Sequence, residues 1–507
     1  MSINLTATET GAENTRNVFS GTNINTSKVY TGKSNFEDFT PDDSVNVYVG
    51  VFFDGTANNR DNTNSRLAYE SIEARKKQSK GETLTAKEIK AANSYKGTKQ
   101  EKDAAKAYEG WLWGTKSGSY DNDKSNIARM ETFYNDKTTD KVIQTHVYIE
   151  GAGTKSGSKD SVFGLGLGTG STGVRAKVKK ACKEIASAVK KAAGDIDVNK
   201  LIIDVYGFSR GAAQARNFVF EISQKEGDIE DVISYGEGET IIIKFKQDYG
   251  LLGKHLAQKG IEMKSKLDIR FAGLYDTVLA LGLGFEHENN VKRLKMVAVN
   301  KARFVFHLAA ANEHRKNFKL TNIKSSRGLE KTIPGVHSDV GGGYVDKAKD
   351  NVILKRGYDH KAMEKEQANL IKEGWYKKSQ IPIKTFYGNH MVSYELEGNK
   401  EKVSNKYSFI PLQIMAKFSV DKKVDILESK VVRKFSINGI QTLMDAKTQI
   451  DNYVNGSRGR FEFDNDKDRE LIKTLRNEYF HWSANLGSIG MGPNIENGKR
   501  VRKIFPG

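Results

Sequence analysis

A serine flanked by two glycines follows an apolar run and precedes a stretch that favours a helix. Residues 201–205 form the run, and Gly207, Ser209 and Gly211 follow it in the G-x-S-x-G spacing. At such a strand-to-helix turn the serine backbone is cramped, so side chains two positions before and after it would collide with their surroundings. The pattern predicts a nucleophile elbow that exposes the Ser209 hydroxyl at the carboxyl edge of a sheet. The alternative is an ordinary surface turn rich in glycine and serine.

A serine hydroxyl becomes a useful nucleophile when an imidazole accepts its proton and a carboxylate orients that imidazole. After a nucleophile elbow, the acid and then the histidine follow the serine along the chain, each in a loop after a strand. Asp276 ends the apolar run 267–275, and His337 lies in a glycine-rich stretch after Ile333. The order of these residues predicts a catalytic triad of Ser209, Asp276 and His337.

Other residues compete for the acid and base positions of this triad. Asp276 could instead be a turn or helix-capping carboxylate, and Asp339, two residues after His337, is the reserve acid. Asp204 precedes the elbow within its own strand, which is an awkward position for an acid. His481 is the main rival base, although a histidine flanked by aromatic residues is more often packed in a core.

A serine nucleophile that attacks a carbonyl carbon also needs two N–H donors for the oxygen that becomes negatively charged. The backbone N–H of Arg210 is the expected first donor, because it follows the nucleophile directly. The second donor is expected from the loop after the strand at 45–53, where Gly55 and Thr56 follow Asp54. No cluster of acidic residues at ligand spacing accompanies Asp54, so the sequence predicts neither a metal nor a cofactor.

The composition adds constraints on partners and on redox chemistry. The chain has 507 residues, a formal charge of +18 and a sequence pI near 9.4. This surplus favours an anionic partner such as a lipid headgroup, a nucleic acid or an acidic protein. Nucleic acid is the least expected of the three, since the basic residues are not interleaved with regularly spaced stacking aromatics. The single cysteine, Cys182, excludes an internal disulfide.

Runs typical of strands alternate with helix-like runs as far as about residue 345. This order predicts an α/β-hydrolase-like fold, with a mostly parallel sheet covered by helices on both faces. The amphipathic stretch 174–193 is predicted as a crossover helix packed on the sheet, with a membrane-surface helix as the alternative. The Lys-rich stretch 67–109 is predicted as a solvated helical insertion, with a lid or a partner-binding arm as the alternative. The glycine-rich stretch 163–170 lacks the Lys-Ser/Thr pair of a phosphate-binding loop and favours an apolar loop near the site.

These patterns divide the chain into three parts. They are a polar N-terminal segment at 1–43, a catalytic domain at 44–345 and an accessory region at 346–507. The first part lacks the basic-then-apolar order of a secretory signal, and no run approaches the length of a membrane-spanning helix. We therefore expect synthesis in the cytoplasm, and export only through machinery that does not read signal peptides.

Five motifs occur together and in a fixed order along the chain. They are FFDGTANN at 52–59, YIEGAGT at 148–154, GFSRGA at 207–212, GLYDTV at 273–278 and PGVHSDVGGGY at 334–344. In this combination the sequence resembles the first family of type VI secretion lipase effectors, whose hydrolase domain also occurs in fungi. The resemblance spans roughly residues 45–345, and the Lys-rich insertion at 67–109 departs from it.

The resemblance implies an α/β-hydrolase of the phospholipase A type, which cleaves acyl esters of glycerophospholipids. Ser209, Asp276 and His337 fall on the positions of the family's triad. It also implies an antibacterial effector that type VI machinery delivers into the periplasm of a target cell, with a cognate immunity protein and a spike protein as partners. The accessory region would then engage the membrane. Two other hypotheses remain: the same triad acting on a soluble ester or thioester, and a non-catalytic basic adaptor that binds an acidic partner.

Overall fold

The computed structural model describes residues 43–112, 118–157, 160, 172–227, 229–235, 239–244, 247–279, 287–388, 391–488 and 490–507. The strands, in chain order, are β1 Ser44–Phe53, β2 Lys137–Thr138, β3 Val142–Ile149, β4 Asp197–Phe208, β5 Ile229–Tyr235, β6 Glu239–Lys244, β7 Asp268–Tyr275, β8 Phe304–Ala310, β9 Leu320–Thr321, β10 Leu329–Ile333, β11 Ala348–Gly357, β12 Ile383–Tyr387, β13 Val392–Val403, β14 Ile495–Glu496, β15 Lys499–Arg500 and β16 Ile504–Phe505.

The α-helices, in the same order, are α1 Arg60–Ser79, α2 Ala86–Ser94, α3 Lys99–Leu112, α4 Gly118–Asp121, α5 Asn126–Glu131, α6 Val174–Ala193, α7 Arg210–Glu221, α8 Gly250–Gln258, α9 His287–Arg293, α10 His337–Gly341, α11 His360–Lys372, α12 Phe409–Asp421, α13 Glu428–Lys434, α14 Gln441–Val454 and α15 Asp466–Glu478. Short 3₁₀ turns occupy Met296–Lys301, Lys378–Gln380 and Asn405–Ser408. None of the helices in these ranges is both long and apolar enough to cross a bilayer.

The central sheet has seven strands in the order β10-β8-β7-β4-β1-β3-β2. Its neighbouring strands run parallel, except that β2 runs antiparallel to β3. The register places Phe53 beside Gly207 and Phe208 beside Tyr275. The loops after β1, β4 and β7 therefore leave the sheet at one edge. The predicted mostly parallel α/β sheet is confirmed.

Helices α6 and α7 cover one face of this sheet. Strands β1 and β4 are nearly continuous apolar runs, as expected for parallel strands buried on both faces. Helix α6 buries the stripe Val178, Cys182, Ile185 and Val189 in the same hydrophobic cluster as the strands. The stretch 174–193 is thus a crossover helix on the sheet, as predicted, and its membrane-surface alternative is wrong.

On the opposite face, α5 packs against β1, β3 and β4, and α12, which follows position 345, packs against β7 and β8. The ring of Phe418 in α12 stacks on Phe306 of β8 with ring centroids 4.1 Å apart. A Cβ at Gly273 of β7 would lie 2.8 Å from the sulfur of Met415, so the missing side chain lets α12 approach the strand closely. The region predicted as accessory therefore supplies part of one of the two layers on the sheet.

The Lys-rich insertion is helical, as predicted. It forms α1, α2 and α3, of which α2 and α3 each pack on α1, and it begins slightly earlier than expected, at Arg60. Asn59 caps α1 by accepting hydrogen bonds from the backbone N–H groups of Asp61 and Asn62. The predicted apolar loop at 163–170 and most of the N-terminal segment 1–43 lie outside the described residues.

Candidate active site

Ser209 lies in a strained turn between β4 and α7. Its backbone has φ 59° and ψ −126°, and its N–H donates to the carbonyl of Tyr275 at 3.0 Å. A Cβ at Gly207 would lie 2.4 Å from the carbonyl oxygen of Gly211, and a Cβ at Gly211 would lie 2.3 Å from that of Asp54. Since these neighbours are backbone atoms, only glycine fits at either position. The local geometry is that of the predicted elbow.

The loop after β1 is attached to the start of α7. The guanidinium Nε of Arg210 donates to the hydroxyl of Thr56 at 2.6 Å, and burial lowers the pKa of Arg210 to about 10. The N–H of Gly55, predicted as an oxyanion donor, is already bonded to the carboxylate of Asp54 at 2.7 Å. The expectation for Gly55 is therefore not supported, and Thr56 is left as the candidate donor from this loop.

Asp54 holds the same loop in place from inside the protein. Its buried carboxylate accepts hydrogen bonds from the Ser125 hydroxyl at 2.5 Å and from the Tyr148 hydroxyl at 2.6 Å. Burial raises the pKa of Asp54 to about 6, against the opposing effect of these hydrogen bonds. Sequence reasoning missed both hydroxyl partners, because each comes from a distant element and carries no local motif.

Asp276 and His337 meet at the edge of the sheet where Ser209 lies. The Nδ1 of His337 is 2.5 Å from Oδ2 of Asp276, and the N–H of Ala310 donates to the other carboxylate oxygen at 2.8 Å. The imidazole ring lies 4.6 Å from the ring of Phe208, the residue before Ser209. The structure thus brings Asp276, after β7, and His337 together beside the residue that precedes Ser209.

His337 occupies a buried setting that favours its neutral form. Burial lowers the pKa of His337, although the hydrogen bond to Asp276 acts in the opposite direction. The carboxylate of Glu313 accepts the backbone N–H of His337 at 3.3 Å, and the Phe318 ring packs edge-on against the imidazole at 5.0 Å. With Nδ1–H donated to Asp276, Nε2 of the neutral ring is the atom that can accept a proton.

His337 begins the short helix α10, whereas the sequence predicted a glycine-rich loop. The helix forms because the carboxylate of Asp339 accepts the N–H of Val336 at 3.0 Å and so caps its first turn. Gly342, with φ 77°, then ends the helix in a conformation that favours glycine. The helix fixes the backbone from which the imidazole projects.

The rival acids and the rival base are engaged elsewhere. Nδ1 of His481 lies 2.9 Å from Asp339, and its ring stacks on Tyr344 at 3.7 Å, so the reserve acid and the rival base pair with each other. Asp204 is buried within the sheet and accepts a hydrogen bond from Nε of Arg270 at 2.8 Å. Of these predicted acids, Asp276 is the one that contacts the imidazole of His337.

A further residue at this site has no sequence signal. The guanidinium of Arg502 forms two hydrogen bonds with the carboxylate of Asp276, at 2.6 and 2.8 Å, from a position 226 residues along the chain. Burial favours a protonated Asp276, but Arg502 and His337 outweigh it and hold the pKa of the carboxyl below its usual range.

Within the described ranges, no group of three or more His, Cys, Asp or Glu side chains is arranged to bind a metal.

Comparisons with known proteins bear on the family and the fold of the chain. The family model described as "T6SS, Phospholipase effector Tle1-like, catalytic domain" matches residues 111–370, just over half of the chain. A solved structure of the Tle1 effector bound to the VgrG spike from the Type 6 secretion system aligns at a TM-score of 0.60 and 20% identity. The alignment covers 94% of this chain and 97% of that one, which shows a shared fold.

Two other comparisons add little. An uncharacterized protein from Pseudomonas aeruginosa aligns at a TM-score of 0.37 and 15% identity, over 89% of this chain and 54% of that one. No curated protein matches the sequence. On the strength of the family match, the chain belongs to the Tle1-like phospholipase effectors of type VI secretion.

Proposed function

We propose that the protein is a serine esterase of the phospholipase A type, with Ser209 as nucleophile, His337 as general base and Asp276 as orienting acid. The observation that carries the proposal is the 2.5 Å contact between His337 and Asp276 beside a strained elbow. A surface turn would need neither the buried contact between His337 and Asp276 nor the two glycines at 207 and 211.

The geometry supports a sequence of two acyl transfers. Nε2 of His337 takes the hydroxyl proton while the oxygen of Ser209 attacks the ester carbonyl of the lipid. The backbone N–H groups of Arg210 and Thr56 are the proposed donors to the oxyanion. His337 then protonates the departing lysolipid alkoxide, and water activated by the same imidazole releases the fatty acid from Ser209.

The wider setting of this reaction is also a proposal. The family and the net charge of +18 support an effector that type VI machinery delivers to a phospholipid membrane in the periplasm of a target bacterium. The related Tle1 effector was solved bound to a VgrG spike, which supports a spike protein as the carrier of this chain. We further propose an immunity protein in the producing cell. Within the chain, residues 44–345 would carry the chemistry and residues 346–507 would engage the membrane.

A vesicle assay tests the enzymatic part of the proposal. Wild type and Ser209→Ala are incubated with mixed phospholipid vesicles, and released fatty acid and lysolipid are measured together with vesicle binding. Ser429→Ala, at an exposed position of α13, is the matched control. We expect Ser209→Ala to lose activity by about 10⁴-fold or more and to keep vesicle binding.

Three results would contradict the proposal, each in a different way. Undiminished cleavage by Ser209→Ala would place the nucleophile elsewhere. Cleavage of soluble esters or thioesters without cleavage of bilayer lipid would favour the soluble-substrate hypothesis. Binding of an acidic partner with no ester cleavage at all would favour the adaptor.

A further inference from the structure

The last segment of the chain returns to the site from the accessory region. The N–H of Leu320 donates to the carbonyl of Lys503 at 2.9 Å, and that of Asn322 donates to Phe505 at 3.0 Å, so β16 pairs with β9. We call residues 499–505 the tail. The tail is thus attached to the loop between β8 and β10, which also carries Phe318.

Arg502 is the tail residue that enters the site. Nη1 and Nη2 each donate to one carboxylate oxygen of Asp276, which is the two-point pairing that suits a planar guanidinium. Nε donates to the carbonyl of Phe318 at 2.8 Å, and Nη1 also reaches the carbonyl of Ala310 at 3.1 Å. Only 7% of the side chain is exposed. All three guanidinium nitrogens are therefore bonded inside the protein.

We propose that Arg502 is a positioning residue of the site: it fixes the Asp276 carboxylate toward His337 and balances its charge, so that the tail completes the triad. The inference rests on the proposed function of Ser209, Asp276 and His337. Its physical basis is that the carboxylate accepts hydrogen bonds from Arg502, Ala310 and His337 at once, and therefore has one orientation.

The buried charged groups around the imidazole determine how removal of the Arg502 charge affects protonation of His337. In the described part of the chain, the charged groups that face His337 are Asp276 with Arg502, and Glu313 with Arg315, whose side chains form their own ion pair at 2.8 Å. With both pairs intact, the negative charges near the ring are balanced. Removing the charge of Arg502 leaves an excess of negative charge, which favours the imidazolium.

The test compares Arg502→Gln and Arg502→Lys with wild type. Lys503→Gln is the matched control, because it removes a positive charge from an exposed neighbouring position in the tail. Three quantities are measured: kcat and KM on a short-chain p-nitrophenyl ester, the acid limb of kcat/KM, and the titration of the His337 imidazole by NMR. The NMR titration does not depend on activity.

We expect Arg502→Gln to lower kcat about 10- to 100-fold with little change in KM, because one orienting contact is lost. The imidazole midpoint and the acid limb should both move upward by about 1 pH unit. Arg502→Lys keeps the charge but not the two-point contact. It should restore the midpoint almost fully and kcat only partly, while Lys503→Gln behaves as wild type.

Two results would overturn the inference. One is a wild-type midpoint in a folded Arg502→Gln protein, which would mean that the residue is merely structural. The other, decisive if Arg502→Gln does not fold, is a wild-type kcat in Arg502→Lys. Absence of Ser209-dependent ester cleavage in the wild type would instead refute the proposed function, and the NMR midpoints would still decide the role of Arg502.

Discussion

At the residue scale, the site requires residues without side chains at positions 207 and 211, two before and two after Ser209. Its φ of 59° is unfavourable for a residue with a side chain, and the surrounding backbone over-determines it. Gly207 and Gly211 face carbonyl oxygens at distances that no Cβ can occupy. The strain is therefore local, and the turn can form only because both of these residues are glycines.

This crowding gives a direct prediction for Gly211→Ala. The added methyl would collide with backbone oxygens of residues 53 and 54, so we expect a loss of about 1–3 kcal/mol in the free energy of unfolding and a fall in kcat of about 10²-fold or more. Gly459→Ala is the control, because nothing lies within 4 Å of its added Cβ. Denaturant titration and ester turnover measure both effects, and a fully active, equally stable Gly211→Ala would contradict the account.

The pH dependence of activity follows from the environment of His337. Because burial lowers the pKa of His337 below its ordinary value of 6.5, the neutral base persists into mildly acidic solution. We expect kcat/KM to fall as pH decreases, with a midpoint below 6.5. The free energy of unfolding also decreases as pH decreases. The reason is that the unfolded chain binds a proton at this histidine at a higher pH than the folded protein does. An acid limb centred above about 7 in a pH–rate profile would show that another group controls the rate.

The sequence predicted the three residues of the proposed triad but not their partners. Ser209 was recognisable because the elbow has a fixed spacing, and Asp276 and His337 because each follows a strand in the required order. The interactions of Ser125 and Tyr148 with Asp54, by contrast, have no spacing rule. They appear only when distant loops meet at one sheet edge.

At the scale of elements, the loop after β1 is positioned by a buried carboxylate. Asp54 carries a pKa raised from 3.8 to about 6 by burial, so the folded protein holds a proton there that the unfolded chain has released. The stability contributed by Asp54 is therefore present at low pH and decreases as pH rises through that window.

The comparison of wild type with Asp54→Asn measures this effect. As pH rises from about 4 to about 6, we expect the free energy of unfolding of the wild type to decrease by up to about 3 kcal/mol relative to that of Asp54→Asn. Above that range the difference should be constant. Urea titrations at several pH values provide the measurement. A difference that is independent of pH would mean that the carboxyl of Asp54 titrates normally.

Strands and long helices were predicted well because their periodicity is local. Strand β1 and helix α6 match the expected ranges 45–53 and 174–193 closely. Strand β8, from Phe304 to Ala310, is buried between two parallel neighbours, a setting that depends on contacts distant in the sequence. Helix α10 was missed, since it is short and its capping carboxylate looks like a catalytic candidate in the sequence.

At the scale of the whole molecule, residues before and after the predicted boundary at 345 share one hydrophobic core. That core joins Tyr206 and Phe271 of the sheet to Met415 of α12 and extends to Trp482. The tail adds a polar link through Arg502. In the sequence, the alternation of strand-like and helix-like runs ends near residue 345, and nothing in it shows that α12 covers the sheet.

The shared core predicts the cost of a single substitution in α12. Met415 is fully buried against β7, so we expect Met415→Ala to lower the free energy of unfolding by about 2–5 kcal/mol. Met444→Ala, at a partly exposed position of α14, should change it by less than about 1 kcal/mol. Denaturant unfolding followed separately by signals from the two regions should show one transition. Two separate transitions, with Met415→Ala affecting only one, would mean that the regions are independent.

The central claim is that Ser209 is a nucleophile activated by His337 and Asp276. Its most direct test is labelling with a fluorophosphonate that reacts with activated serines, followed by mass mapping of the digested protein. We expect one stoichiometric adduct on the peptide that contains Ser209, no adduct in Ser209→Ala, and labelling slowed at least about 100-fold in His337→Ala. An adduct on a different serine, or equally fast labelling without His337, would contradict the account.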